Sequence, residues 1–232
     1  MDAGLGLAFV GFMVVVVGIL GVLAMRRDRR RLQGLPATAR ALGLTYEALS
    51  PATLERLRPR LGVLRFPGQG PQVVNRIAGA VDGVTVEVFD FGIRIPFRGR
   101  QRLQEQTVAV VTVPGKPLPA FNVDAYVPVL QSRLPVPSGT MRKVELTGHP
   151  GFARGYVLKA ADEAAVRGLF AAPVVACIEA LVPPASLECD GSLLALYRVG
   201  VVAQPDDVEP LIRTALALTR LLVAERDRSA AG

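Results

Sequence analysis

Two side chains stand out as candidates for chemistry, Asp90 and His149, and each sits in a different local pattern. Val84, Val86 and Val88 alternate as the inward face of a strand, which puts Asp90 on that same apolar face. Burial disfavours an ionised carboxylate and lifts its pKa toward the range of a proton-transfer group, so Asp90 is a candidate site residue. The competing reading is a strand end emerging into a polar turn, or a structural pair with an arginine such as Arg94. His149 is the sole histidine and is followed by Pro150 and Gly151, which marks a turn. It could act there as a lone acid or base, or, more commonly, as a hydrogen-bonded structural residue.

The remaining chemistry is narrowed by what the sequence lacks. One histidine excludes HExxH and zinc-finger patterns, and no metal site is expected. Cys177 lies on the apolar stripe of a helical segment and Cys189 alternates with Leu187, so both read as small buried hydrophobes rather than nucleophiles. Two cysteines are too few for a disulfide framework, which fits a reducing cytoplasm. There is no GxSxG elbow, and Gly68 to Pro71 lacks the Lys and Ser/Thr of a phosphate loop, so no cofactor is expected.

The elements that must carry these residues begin with an uncharged apolar stretch, Ala3 to Met25, followed by Arg26, Arg27, Arg29, Arg30 and Arg31. As a helix it reaches roughly 34 Å, enough for a hydrocarbon core of about 30 Å. The arginine collar predicts an N-terminus outside and a cytoplasmic domain at a bacterial plasma membrane. A cleaved signal peptide would need a basic leading region, whereas Asp2 is the only charge before the apolar run. Gly4 and Ala8 form one small-xxx-small pair, which leaves a homo-oligomer open. The division expected is a transmembrane anchor over 1–25, a basic juxtamembrane linker over 26–36, a cytoplasmic domain over 37–224 and a polar tail over 225–232. The linker is so short that the domain must stay against the bilayer.

Within the domain, helices are predicted from Ala37 to Leu44 and from Pro51, behind an N-capping Ser50, to Leu61. Asp82-Gly83 and Asp190-Gly191 lie between apolar runs and predict two hairpins, Val73–Val81 with Val84–Ile95 and Ser186–Cys189 with Ser192–Val201. Aligning the two turns also pairs Val86 with Leu194, Val88 with Leu196 and Phe89 with Tyr197. A duplicated helix-plus-hairpin unit would explain this, as would two unrelated half-buried strands. Strands are predicted at Thr107–Val113, Met141–Leu146 and Gly155–Leu158, with a proline-rich irregular connection after the first. Asp162 caps a helix, Pro173 opens another, and a final amphipathic helix runs from Asp206 to Ala224. Arg94, Arg98, Arg100 and Arg102 form a second basic cluster, read as a hairpin loop that is either solvated or set against anionic lipid.

The net charge of +7 owes much to the collar, and without Trp or many aromatics there is no stacking platform for nucleic acid. The order of elements, with Phe89-Asp90-Phe91, Leu118-Pro119-Ala120-Phe121 and His149-Pro150-Gly151-Phe152 through Tyr156 and Leu158, resembles a family of bacterial single-pass membrane-anchored proteins whose function is unknown. The resemblance implies architecture and transfers no catalytic residue. The fold class expected is an N-terminal transmembrane helix followed by an α+β domain with a mainly antiparallel sheet and packed helices. The function expected is a membrane-surface interaction or scaffold module whose partners are the bilayer and a protein. The alternatives are a membrane-bound enzyme using Asp90 or His149, and an anionic-lipid-sensing domain.

Overall fold

The computed structural model describes residues 26, 28–97, 100–126 and 141–231. The apolar stretch over 1–25, with Arg27 and Arg98, lies outside them. Among the described residues no helix is long and apolar enough to cross a membrane.

The chain folds as α+β. Helix α1 covers 28–41, where a linker and a later helix start were expected. The reason is that Arg31, Leu35 and Ala39 recur every four residues and are all buried, a stripe that disappears when arginine is counted as polar surface. Gly43, with φ of +68°, closes the helix, and the Leu44 N–H reaches back to the Ala39 carbonyl at 2.8 Å. Nine strands follow, interspersed with helices: β1 (Thr45–Leu49), α2 (Pro51–Leu57), β2 (Gln69–Val81), β3 (Val84–Phe97), β4 (Arg100–Thr112), β5 (Phe121–Ala125), β6 (Arg142–Val144), α3 (Pro150–Gly155), β7 (Tyr156–Ala160), α4 (Glu163–Leu169), α5 (Ala172–Glu179), β8 (Ser186–Cys189), β9 (Leu193–Tyr197) and α6 (Pro205–Ala231). The described strands make one antiparallel sheet ordered β1-β2-β3-β4-β9-β8-β5-β7-β6.

Both hairpins form. At the first turn Asp82 and Gly83 have φ of 51° and 76°, as a type I′ connection requires. The second turn is longer: Asp190 Oδ1 accepts from the Ser192 and Leu193 amides at 3.0 and 2.8 Å, so β9 starts at Leu193. β3 and β9 flank β4 on either side. The positions equated by the offset share faces: Val86, Leu194, Val88 and Leu196 lie in one core cluster, Phe89 and Tyr197 in the other.

Several elements differ from expectation for identifiable reasons. β1 is an edge strand with four of its five residues exposed, so it has no apolar alternation to read. β5 was hidden in the proline-rich connection, and α3 begins where a turn was expected, with His149 as its N-cap and Pro150 at its first position. The second basic cluster is a ribbon rather than a loop. Arg94 pairs with Leu103 and Ile95 with Arg102, so Arg100 and Arg102 share one face while Arg94 occupies the other. α6 continues past Ala224 because Glu225 extends its buried stripe with a carboxylate, paired to Arg228 at 2.7 Å. Arg226 also donates to the Pro114 and Lys116 carbonyls.

The sheet carries a core on each face. On one side α1, α4, α5 and α6 cover Val86, Val88, Val123, Leu158 and Leu196; on the other, α2 and the short helical turn Gly62–Leu64 cover Val73, Phe89, Phe91 and Tyr197. Phe121 is fully buried and meets Phe170 edge-on at 5.0 Å between ring centres. Phe121→Ala is expected to lower stability by about 3–5 kcal/mol through the cavity it leaves. Val182→Ala, at a side chain 86% exposed, should change it by under about 0.5 kcal/mol. Denaturant titration of the full chain in mild detergent, with an unchanged slope, checks both.

Candidate functional site

β3 continues its inward alternation through Val86 and Val88 to Asp90, as the sequence implied, and Asp90 is 3% exposed. Its partner is Arg31 of α1, not Arg94. One Arg31 Nη2 donates to both carboxylate oxygens at 2.8 Å. Thr107 Oγ1 of β4 adds a 2.6 Å bond to Oδ1, and Asn75 Nδ2 of β2 a 2.8 Å bond to Oδ2. Asn75 has φ of 53° in the irregular stretch between Val74 and Ile77, a bulge that turns its amide toward Asp90. Tyr46 then donates to Asn75 Oδ1 at 2.9 Å. Burial, followed by the Asp90 charge, pushes the Tyr46 phenol above its ordinary pKa.

The network reaches onward to the segment between β9 and α6. Arg31 Nε donates to the Ala203 carbonyl at 2.7 Å, and the Ala203 amide donates to Thr107 Oγ1 at 2.8 Å. A carboxylate holding four such contacts has its acceptor positions in use, and this group ties α1, β2, β3 and β4 together. Arg31, grouped by sequence with the lipid-facing collar, faces the sheet; Arg26, Arg29 and Arg30 are exposed.

His149 lies elsewhere. It precedes α3, which packs on β7, and four strands separate β7 from β3. Asp90 and His149 therefore do not share a site. Burial raises the Cys177 thiol and pushes Cys189 up to about 12, so both stay protonated and unreactive near neutral pH. Among the described residues no group of histidine, cysteine or acidic side chains is arranged to hold a metal ion.

Sequence reasoning missed two buried carboxylates on the opposite face. Glu188 is 5% exposed and accepts from the Gly62 amide and, at 2.9 Å, from the Val63 amide. It thereby holds the turn Gly62–Leu64 over the sheet. Desolvation still raises its pKa, outweighing those two backbone donors. Glu87 is bound by Arg56 of α2 at 2.7 and 2.8 Å and by Arg76 of β2 at 2.8 Å. The available signal was an acid inside a strand between apolar residues, Val86 and Val88 around Glu87 and Leu187 and Cys189 around Glu188.

Two clefts open in the domain, the first of them beside the Arg31 network. One, of about 260 Å³, lies between α6 and the sheet and is walled by Leu181, Val182, Leu196, Val201 and Leu211, with Thr107 and Ala203 also reaching it. The other, of about 290 Å³, is bordered by Tyr126, Pro183, Pro184, Ser186 and Val199. Arg198 and Val201 line both. Neither cleft includes Asp90 or His149.

No protein-family model matches the chain, and no curated protein does. The fold is similar to the crystal structure of the mycobacterial trehalose monomycolate transport factor A, TtfA, with a TM-score of 0.61 and 13% identity over 82% of this chain and 93% of that one.

Two outcomes are expected from this geometry. Asp90→Asn should lower stability by about 3–5 kcal/mol by leaving the Arg31 guanidinium buried without its counter-charge. Combining it with Arg31→Met should recover much of that loss in a double-mutant cycle. For Glu188, the folded pKa lies above the ordinary 4.5, so the folded protein holds this proton more tightly than the unfolded chain does. Its contribution is greatest below that value and declines as pH rises through the folded pKa. The stability of wild type relative to Glu188→Gln should therefore be greatest near pH 4 and fall toward pH 8, as denaturation series at each pH would show.

Proposed function

We propose that the chain is a membrane-anchored interaction module, with its first 25 residues across a bacterial plasma membrane, its N-terminus outside and its α+β domain at the cytoplasmic surface. The observation that carries this reading is the clamp between Arg31 and Asp90. α1 begins three residues beyond Met25 and is locked to the sheet within its first described turn, so an anchor helix ending there would hold the domain in one orientation rather than on a loose leash. A fixed orientation suits a surface that must meet a membrane-embedded partner, and no such constraint is needed by a freely diffusing enzyme.

The electrostatics support the same placement. Arg26, Arg29 and Arg30 are exposed at the bilayer end of α1, where each would add about 1 kcal/mol of attraction to anionic lipid. Arg100 and Arg102 on one face of the β3–β4 ribbon would extend that contact if they point to the bilayer. Asp90 is fully engaged and His149 stands apart from it, which favours binding over catalysis. The protein partner in this reading is a membrane protein, and the fold is one that a mycobacterial transport factor also has.

Affinity recovery of the full chain from membranes in mild detergent, beside a control carrying residues 1–36 alone, tests the reading. A membrane protein recovered by the full chain and not by the control is expected. Equal recovery by both, or protease trimming of the domain from the outside of intact cells, would overturn it.

A further inference from the structure

The two clefts have a composition that the clamp does not explain. The first is walled by aliphatic side chains from four separate segments, the connection after α5, strand β9, the stretch between β9 and α6, and helix α6. Val182 and Val201 stand 86% and 47% exposed at its rim, which is costly surface for a protein to leave in water unless something covers it. The second cleft has no acidic residue on its wall and offers the hydroxyl of the exposed Tyr126 and that of Ser186, whose oxygen accepts from the Ala125 amide at 3.1 Å and which keeps its proton to donate. Each volume sits near the lower limit of ligand pockets, about 300 Å³, and the two share Arg198 and Val201 on their walls.

Arg198 stands where they meet. Its Nε donates to the Pro183 carbonyl at 3.0 Å, which fixes the plane of the guanidinium. Among the described residues it has no carboxylate partner, in contrast to the buried Arg31 and to Arg56 and Arg76, which are paired with acids on the sheet. Asp207 borders the first cleft, but its Oδ2 already accepts from the Gln204 amide at 3.0 Å at the start of α6. An anionic group is therefore favoured on the second side of Arg198, away from Asp207, and an apolar chain on the first.

We propose that this paired cleft binds a single-chain anionic amphiphile, its carboxylate or phosphate on the Arg198 guanidinium beside Tyr126 and Ser186, and its hydrocarbon chain along Leu181, Val182, Leu196 and Leu211. The ligand replaces water over the exposed valines and supplies the counter-charge that the protein does not. Occupancy also has a route to α1, because Thr107 and Ala203 border the first cleft and both belong to the Arg31 network. The site stands on its own geometry and does not depend on the partner proposed above.

The test uses the full chain in phosphatidylcholine nanodiscs, so that no detergent competes. Three photoreactive probes of equal chain length are compared: a fatty acid, a monoalkyl phosphate and a fatty alcohol, each with a diazirine near the chain end. Labelling by an acid probe on peptides covering 181–185, 196–201 or 207–214 is expected, and whichever of the two acids labels more identifies the head group. Arg198→Gln should reduce it by about tenfold or more, the loss associated with one charge-assisted hydrogen bond. Val201→Trp, which fills the junction at an exposed position, should do the same with the charge intact, and thermal unfolding shows that both variants remain folded. Labelling by the alcohol equal to that of the acids, labelling confined to residues 1–25, or labelling indifferent to both substitutions would overturn the proposal.

Discussion

Arg31 and Asp90 meet through two 2.8 Å hydrogen bonds at a place where their side chains are only 10% and 4% exposed. Bringing both charges out of water costs several kcal/mol each, and their attraction offsets this only when the remaining hydrogen-bonding positions are also filled. Thr107, Asn75 and the Ala203 carbonyl fill them. The net stabilisation from such a pair is small, but the alternatives are poor: slide α1 by one residue and two charges are buried unpaired. What the pair supplies is position. It determines where the helix leading away from the apolar N-terminal stretch must lie on the sheet, and the register of β2, β3 and β4 is committed to the same network.

The other face follows the same logic with different donors. Glu188 is held by two backbone amides and Glu87 by two arginines, so each buried carboxylate ties a covering segment to the sheet. Apolar packing alone permits many nearly equivalent placements of a helix on a sheet. A carboxylate with its donors in place permits very few, because an unmet hydrogen bond in a dry setting is more costly than a slightly shifted methyl contact. Three covering segments, α1, α2 and the turn Gly62–Leu64, are located in this way.

The Asp90 carboxylate is fully engaged by its neighbours, while among the described residues the Arg198 guanidinium, less conspicuous in sequence, meets a backbone carbonyl and no carboxylate at the edge of two clefts. The Ala203 segment, shared by the clamp and the cleft, makes the orientation of α1 and the state of the cleft parts of one hydrogen-bonded system.

By itself the sequence determined the α+β class, both hairpins, the inward face of β3 with Asp90 on it, the inertness of the two cysteines and the main stripe of α6, because each depends on a local period or a turn dipeptide. It placed the start of α1 at Ala37 instead of at residue 28, because the helix's stripe runs through an arginine, and it did not reveal β1, four of whose five residues are exposed, or β5, set among prolines. The identity of the Asp90 partner was decided only by tertiary structure: 59 residues separate it from Arg31, whereas Arg94, four positions away, points elsewhere along a ribbon. The clefts were likewise invisible, since their walls come from segments far apart in the chain. Local patterns report which side of an element is buried; which charges meet there depends on how the sheet is ordered, and that order is a property of the whole chain.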